Sequence, residues 1–313
     1  MSSPRPPGAT RLAAARPAPL PGVSFEFFPP KTEEMETRLW NTIRRLEPLA
    51  PSFVSVTYGA AGSTRDRTYE TVCRINRETS LPTAAHLSCV GTTREEVDEM
   101  VRRYWRQGIR HIVALRGDPP EGTPRYTPHP GGYANSVDLL EGIRRIADFE
   151  ISVAAFPEVH PEAQSPDADL EYLKRKIDAG AHRAITQYFF DVDVFMRFLD
   201  RARAKGIAVP IVPGIMPVFN FAKLSKFSAK CGASVPRWLA EMFEGLDDDP
   251  ETRRQVAVAQ AAEQCQALRE QGVNEFHFYT LNGARLTGAI CHALGLGPPT
   301  ETALAAERLG QRP

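Results

Sequence analysis

From residue 24 onward, short apolar runs alternate with longer segments of helical periodicity, and this alternation restricts the folds open to the chain. Eight runs have the length of a β-strand and are rich in β-branched or aromatic residues: Ser24–Phe28, Phe53–Gly59, Thr83–Cys89, His111–Gly117, Ile151–Pro157, Ala184–Phe190, Val209–Ile215 and Glu275–Leu281. Most of them lack a polar-apolar alternation, which is typical of parallel strands covered on both faces. The pattern therefore predicts an α/β protein with a parallel sheet.

Helical patterns lie between these runs. In Thr93–Gln107 the apolar residues Val97, Val101, Tyr104 and Trp105 recur at helical spacing. The other predicted helices are Glu34–Leu49, Asp169–Ala179, Asp193–Ala204 and a long one that begins at Asp249-Pro250, with Asp as the N-cap. An insert from Cys231 to Asp248 is predicted to be irregular, with a short helix around Trp238–Phe243.

Eight strands separated by helices favour a single-domain (β/α)₈ TIM barrel. An open doubly wound sheet is the alternative, but it would normally carry a Gly-rich phosphate loop after its first strand, where this chain has Pro29-Pro30. We expect the barrel to span residues 23–297. Residues 1–22 are rich in Pro, Ala and Arg and are predicted to be a disordered tail rather than a targeting signal, and residues 298–313 are assigned to a C-terminal tail.

Charge and cysteine content narrow the functional classes. Lys plus Arg equals Asp plus Glu, 38 against 38, so no overall field attracts nucleic acid or an anionic membrane. The five cysteines form no C-x-x-C pair, which argues against a zinc or disulfide framework and suits reduced thiols in the cytoplasm. No run approaches the roughly 18 apolar residues of a membrane helix, and no spacing predicts a metal site. We expect a local site for a small molecule.

Candidate site residues gather at the ends of the predicted strands, where barrel enzymes place their chemistry. They are Thr57, His86, Arg116, Gly117, Asp118, Glu158, His160, Gln187 and Tyr279. Glu26 instead lies inside the first strand, between Phe25 and Phe27. Desolvation by aromatic neighbours disfavours the ionised form of a carboxyl group, which makes Glu26 a candidate general acid. The alternative is an ion pair between Glu26 and an Arg or Lys of a neighbouring strand, and each of the other residues could simply be packing in the barrel.

Several longer motifs are more specific. Ser24-Phe-Glu-Phe-Phe-Pro-Pro-Lys31, Phe53-Val-Ser-Val-Thr-Tyr-Gly59, Ala114-Leu-Arg-Gly-Asp118, Ala155-Phe-Pro-Glu-Val-His-Pro-Glu162 and Phe276-His-Phe-Tyr-Thr-Leu-Asn282 follow one another in this order. Ile185-Thr-Gln-Tyr-Phe-Phe-Asp191 and Gly245-Leu-Asp-Asp-Asp249 lie between them. From about Val23 to Leu296, the chain closely resembles the bacterial-type 5,10-methylenetetrahydrofolate reductases, which are flavoprotein (β/α)₈ barrels.

The resemblance implies a ping-pong reaction. NADH or NADPH reduces bound FAD and leaves, and methylenetetrahydrofolate then takes its place and receives the hydride. Glu26 corresponds to the family's general acid, and Asp118 to a carboxylate that stabilises the cationic folate. The folate-binding positions implied are Thr57, Asp118, Gln187, Phe227 and Tyr279. Relatives also form homo-oligomers, so the resemblance implies a homo-oligomer here.

The resemblance also implies a set of positions that bind FAD. These are Thr57, Tyr58, His86, Arg116, Gly117, Asp118, Tyr133, Ala134, Phe156, His160, Asp169, Tyr172, Arg175 and Lys176. Arg175 and Lys176 are adjacent cations expected to meet the pyrophosphate.

Three positions depart from the family pattern. Phe156 stands where relatives often have Tyr, and Tyr172 where they often have Asn. Gly283 follows Asn282 where an Arg is common, so we expect the binding of the folate tail to differ, with Arg285 as a possible substitute.

Two other readings of the sequence stay open. One is a related barrel oxidoreductase that lacks flavin or acts on another one-carbon substrate. The other is a catalytically silent subunit of a redox complex, although the presence of Glu26, Asp118 and Gln187 argues against it.

Overall fold

The computed structural model describes residues 19–59, 64–118, 122 and 126–297, so the predicted tails up to residue 18 and from residue 298 lie outside the described residues. The strands are β1 Gly22–Phe27, β2 Phe53–Val56, β3 Thr83–Ser88, β4 His111–Leu115, β5 Glu150–Ala155, β6 Arg183–Thr186, β7 Ile211–Val212, β8 Gly214–Ile215 and β9 Glu275–Tyr279. All of them pair in parallel, in the order β7-β6-β5-β4-β3-β2-β1-β9-β8.

The predicted seventh strand, Val209–Ile215, is divided at Pro213 into β7 and β8. β7 pairs with β6, and β8 pairs with β9. Proline has no N–H to donate to a neighbouring strand, but the carbonyl of Pro213 still accepts a hydrogen bond from the N–H of His277 at 3.0 Å. The divided strand therefore connects both ends of the sheet and nearly closes it, which confirms the predicted (β/α)₈ barrel.

The helices are α1 Glu33–Leu46, α2 Arg65–Glu78, α3 Arg94–Arg106, α4 Ser136–Ile146, α5 Pro166–Asp178, α6 Val192–Ala204, α7 Phe221–Cys231, α8 Arg237–Phe243, α9 Pro250–Glu270 and α10 Ala284–Ala293, and a 3₁₀ turn, Glu47–Leu49, follows α1. The short helix predicted in the insert is α8. Asp249 caps α9 as expected, since its side chain accepts from the N–H of Thr252. Helices α2, α4, α7 and α10 were not among the predicted helices. Among the described residues, none of the helices combines the length and apolar character that a membrane crossing requires.

The barrel has two packing layers. Outside the strands, a large apolar core that includes Phe25, Phe27 and Ile43 packs the helices onto the sheet. Inside, a small cluster contains Phe53 and Val113. The rest of the interior includes three pairs that join a serine hydroxyl to a histidine ring nitrogen: Ser24–His277 at 2.8 Å, Ser55–His86 at 3.2 Å and Ser152–His111 at 2.8 Å. The inside of the barrel thus holds hydrogen-bonding side chains as well as apolar ones.

Candidate active site

Glu26 points into the barrel. Successive side chains of a strand lie on opposite faces, and both Phe25 and Phe27 belong to the outer core. The aromatic neighbours that were expected to desolvate Glu26 therefore face away from it. In the sheet Glu26 stands opposite Ser55 of β2 and Tyr279 of β9, and its side chain is 18% exposed.

Two histidines flank the Glu26 carboxylate. Oε2 of Glu26 lies 3.4 Å from Nε2 of His86 and 3.6 Å from Nε2 of His277. The charged or polar partners of Glu26 are thus imidazoles, and not an Arg or Lys of a neighbouring strand. Burial lowers the pKa of His86, and the neighbouring Glu26 carboxylate partly offsets this decrease. A largely neutral His86 forms no full ion pair with the Glu26 carboxyl group.

His277 was not selected from the sequence, although it lies in one of the quoted motifs. Its side chain is fully buried, and its Nδ1 lies 2.8 Å from Oγ of Ser24. Nε2 has no hydrogen-bond partner among the described residues and lies near Glu26. Because a buried ring nitrogen without a partner is costly, the Glu26 carboxyl is the group placed to share a proton with it. The signal in the sequence was the period-2 spacing of His277 and Tyr279, which puts both on the same face of β9.

A cavity of about 350 Å³ lies at the carboxyl ends of β3, β4 and β5. Nine of the predicted cofactor positions line it: Tyr58, Arg116, Gly117, Asp118, Phe156, His160, Asp169, Tyr172 and Lys176. Ser88 of β3, which the sequence analysis missed, lines it as well. Its buried Oγ has no hydrogen-bond partner in the described part of the chain, so a polar group of a ligand would satisfy it.

Lys176 is the buried cation of the cavity, with a side chain on α5 and an exposed fraction of 6% for the residue. Its Nζ donates to the carbonyl of Ala154 at 2.5 Å. Burial lowers the pKa of Lys176 to about 8, and the Asp169 carboxylate partly offsets this decrease. An ammonium group that has one acceptor for its three protons among the described residues is suited to bind an anion such as a phosphate.

The side chain of Arg175, unlike that of Lys176, does not line the cavity. Adjacent residues of a helix point about 100° apart because a turn holds 3.6 residues. While Lys176 points into the cavity, Arg175 is exposed and its guanidinium lies 5.6 Å from the centre of the Tyr172 ring. The structure therefore brings only one of the two predicted cations to the cavity wall.

Four further predicted cofactor positions also lie away from the residues that line the cavity. His86 belongs to the Glu26 cluster. The carbonyl of Thr57 accepts from Oγ1 of Thr68 at 2.9 Å. The remaining two precede α4: the hydroxyl of buried Tyr133 donates to Asp98 at 2.6 Å, and the N–H of Ala134 donates to Asp138 at 2.9 Å.

Three of the five predicted folate contacts, Gln187, Phe227 and Tyr279, lie around Tyr188. Gln187 accepts from the N–H of Tyr188 through Oε1 at 3.0 Å. The rings of Tyr279 and Phe227 each lie with their centres 6.2 Å from that of Tyr188. Phe227 is 51% exposed. Tyr279 is anchored, since its hydroxyl donates to the carbonyl of Thr186 at 2.7 Å, and burial, followed by the Glu26 charge, raises its pKa well above the ordinary value.

Asp118 lies at the rim of the cavity, where it is exposed. Burial raises the pKa of the Cys231 thiol on α7, and the Asp118 carboxylate adds to this increase. The Asp118 charge is therefore felt at Cys231, on the helix that carries Phe227. Among the described residues, no group of three or more His, Cys, Asp or Glu side chains has an arrangement that could hold a metal ion.

The fold and this site define a TIM-barrel protein with a polar, small-molecule site at the carboxyl ends of its strands. A family model described as methylenetetrahydrofolate reductase matches residues 14–295. The chain belongs to this family.

The chain is similar in sequence or in fold to several named proteins. It is 54% identical over 276 residues to the 5,10-methylenetetrahydrofolate reductases of Escherichia coli (strain K12) and of Pectobacterium carotovorum, which covers 88% of this chain and 91% of each relative. The Zea mays protein named methylenetetrahydrofolate reductase (NADH) 1 is 37% identical over 284 residues, which cover 87% of this chain and 48% of that protein. A solved Clostridium thermocellum protein, described as binding two copies of 5-methyl-5,6,7,8-tetrahydrofolic acid, matches with a TM-score of 0.58 at 19% identity and covers 88% of this chain and 94% of its own. At 19% identity, this structural match supports the barrel fold alone.

Proposed function

We propose that the protein reduces 5,10-methylenetetrahydrofolate to 5-methyltetrahydrofolate, with NADH or NADPH as the reductant and FAD as the bound cofactor. Membership of the family and the names of its relatives support the reaction. The structural observation that carries the proposal is the Glu26 carboxyl group, held inside the barrel within 3.6 Å of two imidazoles. One of them, His86, lies on β3, the strand whose Ser88 lines a cavity with a buried cation.

The residues of the cavity fit FAD. Lys176 would hold the pyrophosphate, because its ammonium group is buried and has a single acceptor in the part of the chain that the structure describes. The unpartnered hydroxyl of Ser88 offers a hydrogen bond to a polar edge of the cofactor. The Tyr172 and Phe156 rings supply apolar contact area. When bound, FAD supplies the redox chemistry by accepting a hydride from the nicotinamide and donating a hydride to the folate.

Glu26 would supply the proton that the folate needs. The five-membered ring of methylenetetrahydrofolate opens to a 5-iminium cation only when its leaving nitrogen is protonated, which is work for a general acid. The interior position of Glu26 excludes most bulk water, and His277 can return a proton to it afterwards. Asp118 would stabilise the cation at the rim, while Gln187, Tyr279 and Phe227 would contact the folate.

The test is to purify the protein, identify the flavin released on denaturation, and follow NADH or NADPH oxidation with either menadione or methylenetetrahydrofolate as the acceptor. We expect released FAD and oxidation with both acceptors. Folate reduction without flavin would identify a flavin-independent enzyme. Bound flavin that no acceptor reoxidises would contradict the proposal and favour a silent subunit.

A further inference from the structure

Lys176 places a primary amine in the wall of the cavity proposed to hold FAD, and it is the one lysine among the described residues that line this cavity. It reaches the cavity from α5, and the residue as a whole is 6% exposed. Lys174 lies two residues earlier on the same helix and does not line the cavity. Its ammonium group forms an ion pair with Asp178, one turn further along α5. A reagent that enters the cavity therefore meets the amine of Lys176 and not that of Lys174.

The described residues hold the Lys176 amine with few contacts. Nζ donates to the carbonyl of Ala154 at 2.5 Å and lies 5.3 Å from the centre of the Tyr172 ring. Asp169 is the carboxylate whose charge favours the protonated amine, but it makes no ion pair with Lys176 and accepts from the N–H of His160 at 3.0 Å. The amine thus keeps protons and, when neutral, a lone pair that no described residue uses.

Burial also makes this amine more reactive at neutral pH. It lowers the pKa of Lys176 to about 8, an effect that the Asp169 carboxylate partly offsets. At about pH 7.5, roughly a quarter of such an amine is neutral, compared with roughly 0.1% at the ordinary pKa of 10.5. Only the neutral amine can attack a carbonyl carbon. The weaker basicity lowers its nucleophilicity by about tenfold, if amines follow the slope known for thiols, so the larger neutral fraction dominates.

The charges of the cavity wall favour an anionic reagent at this position. Arg116 also lines the cavity, but it forms an ion pair with Glu162. Burial, followed by the Arg116 charge, lowers the pKa of His160, so this imidazole adds no cation at neutral pH. The protonated fraction of Lys176 has no ion pair with a described carboxylate and can attract a phosphate. An acyl phosphate combines such a phosphate with an activated carbonyl carbon.

We propose that Lys176 is an acylation site, that a small acyl phosphate is the acyl donor, and that acylation and FAD binding exclude each other. In this reaction Nζ forms a bond to the carbonyl carbon, and the bond from that carbon to the phosphate oxygen breaks. Inorganic phosphate leaves with the bonding electrons and takes the proton that the amine loses. The amide product is uncharged, so the pyrophosphate of FAD loses its cation. The mutual exclusion rests on the proposed function, since it takes FAD to occupy this cavity.

The test treats the full-length protein with acetyl phosphate at about pH 7.5 and at FAD concentrations from zero to saturation. Cleavage before aspartate releases residues 169–177 as one peptide that contains both Lys174 and Lys176, and fragment masses assign the acetyl group to one of them. Without FAD, we expect Lys176 to be acetylated about tenfold or more faster than Lys174. Added FAD should slow the reaction of Lys176, with half protection at the dissociation constant of FAD, and should leave that of Lys174 unchanged.

Lys176→Gln reproduces the loss of charge and should weaken FAD binding by about 10- to 100-fold. The matched variant Lys174→Gln should stay within about threefold of the wild type. Equal acetylation of the two lysines would overturn the site assignment, and a rate at Lys176 that saturating FAD leaves unchanged would overturn the mutual exclusion. A protein that binds no FAD at any concentration refutes the proposed cofactor, and the ratio of the two acetylation rates then decides the acylation site by itself.

Discussion

Nε2 of His277 lies 3.6 Å from Oε2 of Glu26, and no other described residue offers that nitrogen a hydrogen bond. On its other side, Nδ1 of His277 is 2.8 Å from Oγ of Ser24. The hydroxyl proton of Ser24 can go to His277 or to the carbonyl of Phe276, which lies 3.4 Å away. In either arrangement one proton can lie between the imidazole and the carboxyl group, so Glu26 has a neighbour able to restore the proton it donates.

The first prediction concerns Glu26→Gln, which keeps the shape of the side chain and removes its acidity. We expect methylenetetrahydrofolate reduction to fall by about 10²–10⁴-fold, the usual contribution of a positioned general acid. NADH oxidation with menadione should remain near the wild-type rate because that reaction needs no proton from Glu26. Stopped-flow absorbance at the flavin band separates the two half-reactions, and Glu95→Gln, on the exposed face of α3, is the control. Equal losses in both half-reactions would exclude the acid role.

Ser24→Ala tests whether His277 acts through Glu26. Loss of the hydroxyl removes the 2.8 Å contact that orients the imidazole, at a cost of about 1 kcal/mol or roughly fivefold in the folate half-reaction. Flavin reduction by NADH should stay near the wild-type rate, because that half-reaction does not use Glu26. A merely structural role would lower the melting temperature and slow both half-reactions alike. Ser52→Ala, at an exposed position before β2, should change neither.

Gly117→Ala should damage the rim of the proposed cofactor cavity. Gly117 has a φ of 89°, and a Cβ atom there would lie 2.6 Å from Cγ1 of Val90. Gly91 also has a positive φ, of 65°, but a Cβ atom there meets nothing within 4 Å. Gly91→Ala therefore measures the backbone strain alone, and Gly117→Ala should destabilise the protein by about 1–3 kcal/mol more because of overpacking. Urea unfolding measures both, and similar values for the two variants would show that Val90 moves aside freely.

Much of the barrel could be predicted because its strands are covered on both faces. The burial of every residue of β2 and β3 explains why these runs show no polar-apolar alternation. The break at Pro213 was not predicted, since a single proline in an apolar run does not reveal which of two neighbours each half pairs with. Helix α7 was missed because Leu224 and Ser228 are its buried residues, too few to give a helical apolar pattern.

The sequence predicted where along the strands the site residues lie. It did not predict the direction in which their side chains point. Glu26 was selected for its aromatic neighbours, yet the partners it meets come from β3 and β9, whose register with β1 no local pattern encodes. The same limit applies to Arg175 and Lys176, because adjacent cations on a helix cannot both point into one cavity unless the cavity wraps around the helix.

Lys176→Ala and Arg175→Ala form a matched pair that separates the two cations. We expect Lys176→Ala to weaken FAD binding by about 10- to 100-fold, the range of one charge-assisted hydrogen bond of about 1.5–3 kcal/mol. Arg175→Ala should stay within about threefold of the wild type, because its guanidinium is exposed outside the cavity wall. The dissociation constants follow from flavin fluorescence on dilution. A larger effect at Arg175 would mean that the pyrophosphate lies on the outer side of α5.

The pH dependence of FAD binding follows from the pKa of Lys176, which burial lowers from 10.5 to about 8 in the FAD-free protein. A bound phosphate favours the protonated amine, so the affinity should be highest below pH 8 and should fall as the pH rises through that value, by at most about tenfold per pH unit. The stability of the FAD-free protein changes in the opposite sense. Between about pH 8 and 10.5 the unfolded chain holds the proton that the folded chain has lost, so the free energy of unfolding from this group rises with pH. Lys176→Met should abolish both trends, and an affinity that is flat between pH 7 and pH 9.5 in the wild type would show that the pyrophosphate does not contact Lys176.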